Sequence, residues 1–233
     1  MKYHDIYRAT FVKRPNRFIA HVQLNGEEEI VHVKNTGRCK EILTEGATVF
    51  LEKAKNMNRK TKYSLIAAYK DDILINIDSQ VPNKVVYDSL KQSKIDQITD
   101  ILELKREVTY GNSRFDIYFK KKVKNEVKEG FIEVKGVTLE KDGIAMFPDA
   151  PTSRGSKHIR EMIAAVKEGY LGYIFFLIQL KGVVHFTPNH IMDPEFSQTL
   201  SLAAENGVKI LAYDSQIKED SITLDKKLPI ILS

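Results

Sequence analysis

The chain has 233 residues, of which 42% are hydrophobic and 29% are charged. These values describe a globular protein with a sizeable core, organised as one large domain or two ordinary ones. No apolar run reaches the roughly 20 residues of a membrane-spanning helix, and the first residues do not resemble a signal peptide. The single cysteine, Cys39, excludes an internal disulfide and any Cys-x-x-Cys metal site. We therefore expect a cytoplasmic protein that does not bind membranes.

The formal net charge of +5 is concentrated in the first third of the chain. Residues 1–80 contain 14 Lys and Arg against 10 Asp and Glu, a net charge of +4, whereas the remaining residues contribute +1. A local basic excess favours a polyanionic partner, such as a nucleic acid.

The first 80 residues have the hydrophobic pattern of a β-barrel. Alternating apolar residues predict strands, and Asn25-Gly26 predicts a type I′ turn between two of them. A short helix over residues 38–43, with Thr36 as its N-cap, is predicted to separate three strands from the rest. The predicted strands cover residues 6–12, 18–24, 28–33, 47–53, 62–69 and 73–77. Three strands, a short helix and two strands is the order of an oligonucleotide-binding (OB) barrel.

In an OB barrel, the loops that join strands 1 to 2 and 4 to 5 contact nucleic acid. Residues 13–17 and 55–62 form those loops here, and both are basic. The candidate nucleic-acid-binding residues in them are Lys13, Arg14, Arg17, Arg59, Lys60 and Lys62. Lysine and arginine also collect in ordinary exposed loops, so the position of these charges on the binding loops is what supports the function.

Val81-Pro82-Asn83 is the predicted domain boundary, which divides the chain into residues 1–80 and 81–233. A helix over residues 82–92 is expected to follow, and Ile95, Ile98 and Ile101 continue its apolar stripe.

The rest of the chain predicts an α/β domain with a mixed sheet. A helix that ends at Gly169 precedes a buried strand over residues 170–180, and Asp193 caps a second helix that Gly207 closes before a strand over residues 208–213. The predicted fold class is therefore α+β, with an OB-like barrel followed by an α/β domain.

Residues 107–135 carry the side chains most suggestive of chemistry. Strand alternation places Arg114, Asp116 and Tyr118 on one face. It places Phe115, Ile117 and Phe119 on the other. In the next strand, Glu133 and Lys135 share one face, and Ile132 and Val134 share the opposite face.

The polar residues 120–128 predict a hairpin turn that brings Asp116 near Glu133. Two neighbouring carboxylates repel each other and favour a hard divalent cation such as Mg²⁺, or Mn²⁺, between them. The simpler alternative is a solvated cross-strand cluster of ion pairs, which is the usual role of charges on a sheet.

A third group of cations lies at the predicted start of the helix near residue 153. Arg154, Lys157 and His158 stand there beside free backbone N–H groups, which form a phosphate-binding position. Because cations oppose the dipole at a helix start, this placement favours an anionic partner.

Asp116 followed by Glu133-x-Lys135, with Glu107 upstream, resembles the PD-(D/E)xK core of restriction-endonuclease-like nucleases, although Phe115 replaces the usual proline. The resemblance implies catalytic roles for Glu107, Asp116, Glu133 and Lys135. It implies metal binding by Asp116, Glu133, the Val134 carbonyl and Glu107. Arg114 would support the carboxylates through a bidentate pair.

A broader resemblance covers nearly the whole chain. The segments that carry it are Asn35-Thr-Gly-Arg38, Arg59-Lys60, Pro82-Asn83, residues 110–116, residues 133–139, residues 147–158 and Leu211-Ala-Tyr213. They resemble the sugar fermentation stimulation protein (SfsA) family, with Cys39 where a methionine is usual. The resemblance implies DNA-binding proteins associated with sugar metabolism, with an OB-like N-terminal domain and a nuclease-like C-terminal domain.

Two functions are compatible with these features. The first is a Mg²⁺-dependent phosphodiesterase that acts on nucleic acid, in the first place DNA. The alternative is a non-catalytic DNA-binding regulator of sugar metabolism genes that uses the nuclease-like fold as a scaffold. The acidic pair favours the enzyme, because a scaffold has no physical reason to keep two repelling carboxylates together. The oligomeric state is left open, with a homodimer as one option.

Overall fold

The N-terminal part of the chain is a closed β-barrel. The computed structural model describes residues 1–35, 37–56 and 58–232. The barrel strands are β1 (Ile6–Lys13), β2 (Ile19–Leu24), β3 (Glu27–Val33), β4 (Thr48–Lys53), β5 (Tyr63–Lys70) and β6 (Ile73–Asn76). Their order is β3-β2-β1-β4-β5-β6, and parallel pairing of β3 with β5 closes the first five strands. Asn25 and Gly26 have φ values of 54° and 88°, as a type I′ turn requires. The predicted OB architecture is confirmed.

The short helix predicted over residues 38–43 is wrong. Residues 40–42 form a turn, and Cys39 has a φ of 47°, which a right-handed helix does not allow. The apolar residues Cys39, Ile42 and Leu43 are instead buried in the barrel core, so their spacing reflects packing rather than a helix. The predicted cap, Thr36, lies outside the described residues.

The C-terminal part is built around a six-stranded mixed sheet. Its strands are β7 (Ile101–Tyr110), β8 (Ser113–Val123), β9 (Glu126–Val137), β12 (Leu171–Ile178), β14 (Lys209–Lys218) and β15 (Ser221–Lys227). They run in the order β15-β14-β12-β9-β8-β7, and β12 is parallel to both β9 and β14. A small second sheet consists of β10 (Leu139–Lys141), β11 (Ile144–Phe147) and β13 (His185–Pro188).

Helices cover both faces of the large sheet. The helices are α1 (Val81–Lys91), α2 (Ser153–Lys167) and α3 (Pro194–Glu205). Val85 and Val86 of α1 pack with Ile132 on one face, whereas Ile159 of α2 packs with Phe176 on the other. None of the helices in the described part of the chain has the length and hydrophobicity needed to cross a bilayer. The predicted α/β domain with a mixed sheet is confirmed.

Two local predictions differ from the structure. The hairpin predicted at residues 120–128 is present, but its turn is only residues 124–125, because β8 and β9 pair as far as Val123 with Glu126. The apolar stripe after residue 92 is not helical, since α1 ends at Lys91 and Ser93 has a φ of 53°. Ile95 and Ile98 are buried in the loop, and Ile101 begins β7.

The predicted alternation of faces holds for Ile117 and Phe119 but fails at Phe115. Ile117 and Phe119 pack on the α1 face, whereas Phe115 packs with Tyr118 and Phe131 on the opposite face. The departure occurs where β8 leaves its partner β9, since their pairing begins at Ile117.

A buried amide joins the two parts of the molecule. The side-chain nitrogen of Gln179, which follows β12, donates to Asn76 O at 3.0 Å, Asn76 Oδ1 at 2.9 Å and Asp78 O at 3.2 Å. Within residues 1–80, Lys34 holds this Asp78 through an ion pair at 3.2 Å. The first residues of the chain also contact the large sheet, since Lys2 forms a β-bridge with Ser221 of β15. These contacts fix the barrel against the sheet.

We expect Gln179→Met to lower the free energy of unfolding by about 2–4 kcal/mol, because three buried oxygens would lose their donor. Denaturant unfolding measures this change. Gln216→Met, at an exposed position of β14, is the matched control and should change stability by less than about 0.5 kcal/mol. Equal effects of the two substitutions would contradict the role assigned to the buried amide.

Candidate active site

The candidate site forms where β8 and β9 separate. Backbone pairing between them ends at Ile117 with Ile132. Beyond that point, the Asp116 side chain takes the place of the backbone hydrogen bonds between the two strands. Asp116 Oδ2 accepts a hydrogen bond from Val134 N at 2.8 Å, and Oδ1 accepts one from Asn83 Nδ2 at 2.6 Å. The Asp116 carboxylate is therefore fixed in orientation, without a cationic partner of its own.

Glu133 is buried at the centre of the sheet, with 3% of its side chain exposed. Its Oε1 accepts a hydrogen bond from Lys135 Nζ at 2.7 Å and lies 2.5 Å from His158 Nδ1. Its Oε2 is buried and has no hydrogen-bond partner in the described part of the chain. Buried carboxylate oxygens are almost always paired, so one oxygen of Glu133 is left available for a ligand.

The predicted site residues meet in one cavity of about 450 Å³. Eight of them line it: Glu107, Arg114, Asp116, Glu133, Val134, Lys135, Arg154 and His158. The sequence prediction thus identified most of one continuous site, from three strands and a helix.

The two buried carboxylates influence each other's protonation. Burial, and then the negative charge of Glu133, raises the pKa of Asp116 to about 6, against the smaller opposing effects of the Val134 N–H group and Lys135. Burial would also raise the pKa of Glu133, but hydrogen bonding from His158 and the charge of Lys135 outweigh it and leave that pKa lowered. Asp116 is therefore the carboxylate that a bound cation would most stabilise in its ionised form.

Glu107 and Arg114 line the mouth of the cavity rather than its floor. Their side chains are 54% and 64% exposed, and Arg114 Nη2 lies 3.5 Å from Glu107 Oε2. Arg114 was expected to form a bidentate pair with the carboxylates of the site. It instead makes one contact, and that contact is with Glu107 at the mouth of the cavity. Glu107 has a φ of 57° near the end of β7.

The start of α2 places its three cations in different surroundings. Thr152 caps the helix by accepting a hydrogen bond from Gly155 N at 3.1 Å. Arg154 is exposed and donates from Nε to His158 Nε2 at 3.5 Å, and Lys157 is exposed beside Glu161 at 3.9 Å. His158 is buried against Glu133, so it orients a carboxylate instead of facing outward for a phosphate. A neutral imidazole with its proton on Nδ1 satisfies both of its contacts.

The barrel loops form a second basic region. Arg17 lines an open cavity of about 510 Å³ together with Arg14, Arg38 and Lys40. The guanidinium of Arg14 donates to four backbone carbonyls, those of Arg17, Asn35, Gly37 and Arg38. Arg14 therefore holds the loops together, while its positive charge has no acidic partner among these contacts. Sequence reasoning missed Arg38 and Lys40 because their segment was taken for a helix.

The remaining predicted cations lie elsewhere on the barrel surface. Lys13 and Lys60 are exposed, and Lys62 lies 3.9 Å from Glu29. Arg59 donates to Ser64 Oγ at 3.2 Å and Thr61 Oγ1 at 3.3 Å. Only part of the basic set is therefore free to contact a polyanion.

Five residues that line the cavity of the candidate site were missed by the sequence prediction of site residues. They are Ser79, Asn83, Phe115, Thr152 and Gly155. Asn83 lies 33 positions before the Asp116 that it contacts, and no local pattern links the two. Gly155 is required by close packing, since a Cβ there would lie 2.8 Å from Thr152 Cγ2.

Among the described residues, no group of three His, Cys, Asp or Glu side chains is arranged to hold a metal ion. Asp116 and Glu133 form a pair, and the third ligand expected from the sequence is a backbone carbonyl, that of Val134. The fit to a cation therefore rests on the two carboxylates and on the unpaired oxygen of Glu133.

Comparison with known proteins identifies the family. Residues 12–77 match the model "SfsA N-terminal OB domain", and residues 80–221 match "Sugar fermentation stimulation protein RE domain". A sugar fermentation stimulation protein homolog from Alkaliphilus oremlandii is 54% identical over 99% of this chain and 98% of its own length. A homolog from Clostridium beijerinckii is 53% identical over the full length of both chains. The chain belongs to the sugar fermentation stimulation protein family.

A solved structure of this family has the same fold. "The structure of Pyrococcus Furiosus SfsA in complex with Ca2+" superposes with a TM-score of 0.87, at 26% identity, over 99% of this chain and 98% of that one. The family resemblance predicted from the sequence motifs is confirmed over both parts of the SfsA-family chain.

We predict that Asp116→Asn stabilises the metal-free protein at alkaline pH. A folded-state pKa of about 6, against the ordinary 3.8, means that folding favours the protonated carboxyl. The stabilisation of the fold by this protonated carboxyl is complete below about pH 4, and it is lost as the pH rises through 6. Asparagine cannot ionise, so the variant should exceed the wild type by about 1–3 kcal/mol above pH 7, and the difference should vanish near pH 4.

Thermal or denaturant unfolding in EDTA at both pH values measures this difference. Asp72→Asn, at an exposed position of the barrel, is the control and should have little effect at either pH. An Asp116→Asn variant that is less stable than the wild type at pH 8 would contradict the electrostatic description of the site.

Proposed function

We propose that this SfsA-family protein is a divalent-metal-dependent phosphodiesterase that cleaves nucleic acid, in the first place DNA. The observation that carries the proposal is the buried, unpaired Oε2 of Glu133 in a cavity that also contains Asp116. Burying an ionised carboxylate without full pairing costs several kcal/mol. Such an arrangement is typical of a functional site.

The donor set fits a hard cation. Asp116, Glu133 and the Val134 carbonyl provide only oxygen ligands, the type that Mg²⁺ and Mn²⁺ prefer. The relative from Pyrococcus furiosus was solved in complex with Ca²⁺, another cation that takes oxygen ligands. When bound, the cation would supply polarisation of a phosphoryl oxygen and acidification of a water molecule.

The protein residues would position the other participants. Lys135 stands at the cavity with 15% of its side chain exposed, where its ammonium can orient the attacking water and balance charge that develops on the phosphate. His158 holds Oε1 of Glu133 and thereby directs Oε2 towards the cation. Glu107, at the mouth, would contact the cation directly or through water. Arg154 would grip the adjacent phosphate.

The barrel would hold the rest of the strand. The cavity lined by Arg14, Arg17, Arg38 and Lys40 is basic. Arg14 and Arg17 lie on the β1–β2 loop that OB barrels use for nucleic acid, and Arg38 and Lys40 lie on the β3–β4 connection. Phe11 and Leu43 also line the cavity, but both are almost fully buried in the barrel core, so the contacts offered to a strand come from the basic side chains.

A non-catalytic DNA-binding regulator is the second candidate. The observation that favours it is the existing pairing of Glu133 with both Lys135 and His158, which already offsets part of its charge. In that case the basic barrel loops would carry the function, and the carboxylates would only shape the fold.

We predict cleavage of nucleic acid in Mg²⁺ or Mn²⁺ and none in EDTA. Asp116→Asn and Glu133→Gln should each reduce the rate by at least about 100-fold, because each removes a direct ligand. His158→Asn should reduce it by about 10–100-fold, as expected for a group that orients a ligand. Gel assays with single- and double-stranded DNA and RNA measure these rates.

Glu126→Gln, at the exposed start of β9, is the matched control and should retain full activity. Cleavage that survives both EDTA and Asp116→Asn would refute the proposal. Failure of the wild type to cleave any of the four substrates would favour the regulator.

We also predict that binding weakens steeply with salt, because phosphate contacts release counterions. Arg17→Ala and Arg38→Ala should each reduce the slope of log K against log salt by about 1. Lys227→Ala, on the edge strand β15, should leave the slope unchanged. Fluorescence anisotropy in EDTA provides the measurement, and a salt-independent affinity would contradict the role of the basic loops.

A further inference from the structure

A smaller cavity, of about 150 Å³, lies where the barrel meets the α/β domain. Its polar lining includes Ser79, Asp149 and Gln179, and its apolar lining includes Leu139, Met146 and Phe147. Ser79 also lines the catalytic cavity. On β9, Lys135 lines the catalytic cavity and the next residue, Gly136, lines this one. A ligand in the smaller cavity can therefore be part of a molecule whose phosphate lies in the catalytic cavity.

The polar side chains of the smaller cavity present mainly hydrogen-bond acceptors, although the Thr138 hydroxyl can also donate. Both N–H groups of Gln179 Nε2 donate to oxygens of Asn76 and Asp78. The amide is thereby oriented with Oε1 towards Gly136. No group among the described residues donates a hydrogen bond to this Oε1. Ser79 donates its hydroxyl proton to Lys34 O at 2.6 Å, so its remaining capacity is to accept. Asp149 adds a carboxylate, and the cavity thus selects a ligand rich in N–H donors.

The size and walls of the cavity indicate a single ring system. A cavity of about 150 Å³ accommodates one benzene-sized ring, so of a purine it would receive the six-membered ring, while the five-membered ring and the sugar stay outside. Leu139, Met146 and Phe147 provide apolar and aromatic contacts for the faces of such a ring. A bare cation would use the acceptors but would gain nothing from these three side chains.

Among the nucleobases, guanine presents the most N–H groups on one edge, namely N1–H and the N2 amino group. A carboxylate can accept both, and pairing of this kind gives strong discrimination between bases. We propose that the interdomain cavity binds one guanine base of the nucleic acid strand, with Asp149 accepting from its Watson–Crick edge. This assignment rests on the proposed function, and it adds a base preference next to the cleaved phosphate.

The test measures binding and does not depend on cleavage. Full-length protein carrying Asp116→Asn, in EDTA, would be titrated into short single-stranded oligothymidine labelled with a fluorophore. The strand carries one guanosine, or at the same place one inosine, adenosine or thymidine. We expect the guanosine strand to bind about tenfold more tightly than the others. Inosine differs from guanosine only in lacking the N2 amino group, so the difference in affinity between these two strands measures the contact of that group.

Asp149→Asn, added to the same protein, should abolish the preference and leave the affinity for the thymidine strand unchanged. Asp142→Asn, at an exposed position of the β10–β11 turn, is the matched control and should retain the preference. Equal affinities for all four strands would overturn the base pocket while leaving the proposed nuclease intact. A preference that survives Asp149→Asn would overturn the assigned role of this carboxylate. Absence of binding to every strand would overturn both proposals.

Discussion

Burial of the Glu133 carboxylate at the centre of the sheet is the constraint on which the site depends. Glu133 stands on β9, opposite Ile174 of the parallel strand β12, where most side chains are apolar. A charge in this position is tolerated only because Lys135 and His158 contact the same oxygen. Two donors on Oε1 leave Oε2 unpaired, and burial together with the negative charge of Glu133 raises the pKa of Asp116. The site thus has an excess of negative charge, which a divalent cation would neutralise.

The surrounding fold holds the two carboxylates in position. Asn83 of α1 and the backbone of Val134 fix Asp116 from one side, while α2 supplies His158 from the other. Asp193, the cap of α3, also accepts a hydrogen bond from Thr152 N at 2.8 Å, so the starts of α2 and α3 are tied together. A site held by several elements retains its geometry without a ligand, which is the preorganisation that catalysis and tight binding need.

The barrel contributes more than a separate binding module. Its end is locked to the α/β domain through Gln179, and the interdomain cavity uses residues from both parts. In the proposed function, a strand held on the barrel and a phosphate held in the candidate-site cavity would therefore be mechanically linked. This linkage is why we propose nucleic-acid binding and hydrolysis as one function.

The sequence predicted those parts of the structure that follow from local pattern. Alternation, the Asn25-Gly26 turn, the Asp193 cap and the terminal glycines predicted most strands and helices, and the spacing of Asp116 and Glu133 predicted that the two carboxylates lie close together. Sequence patterns gave wrong predictions where contacts between distant residues determine the structure. Cys39, Ile42 and Leu43 have helical spacing but are buried in the barrel core, and residues 120–128 have the composition of a turn although Lys120 pairs with Glu129 across strands. The role of His158 was also hidden, because its partner Glu133 lies 25 positions away.

The central claim is that Asp116 and Oε2 of Glu133 share a divalent cation. Anomalous difference density from a crystal soaked in Mn²⁺ tests it most directly. The account predicts a peak between these two carboxylates, within about 2.0–2.6 Å of both, and its loss in a Glu133→Gln crystal. Ordered Asp116 and Glu133 side chains with no peak between them, in crystals that bind Mn²⁺ elsewhere, would contradict it.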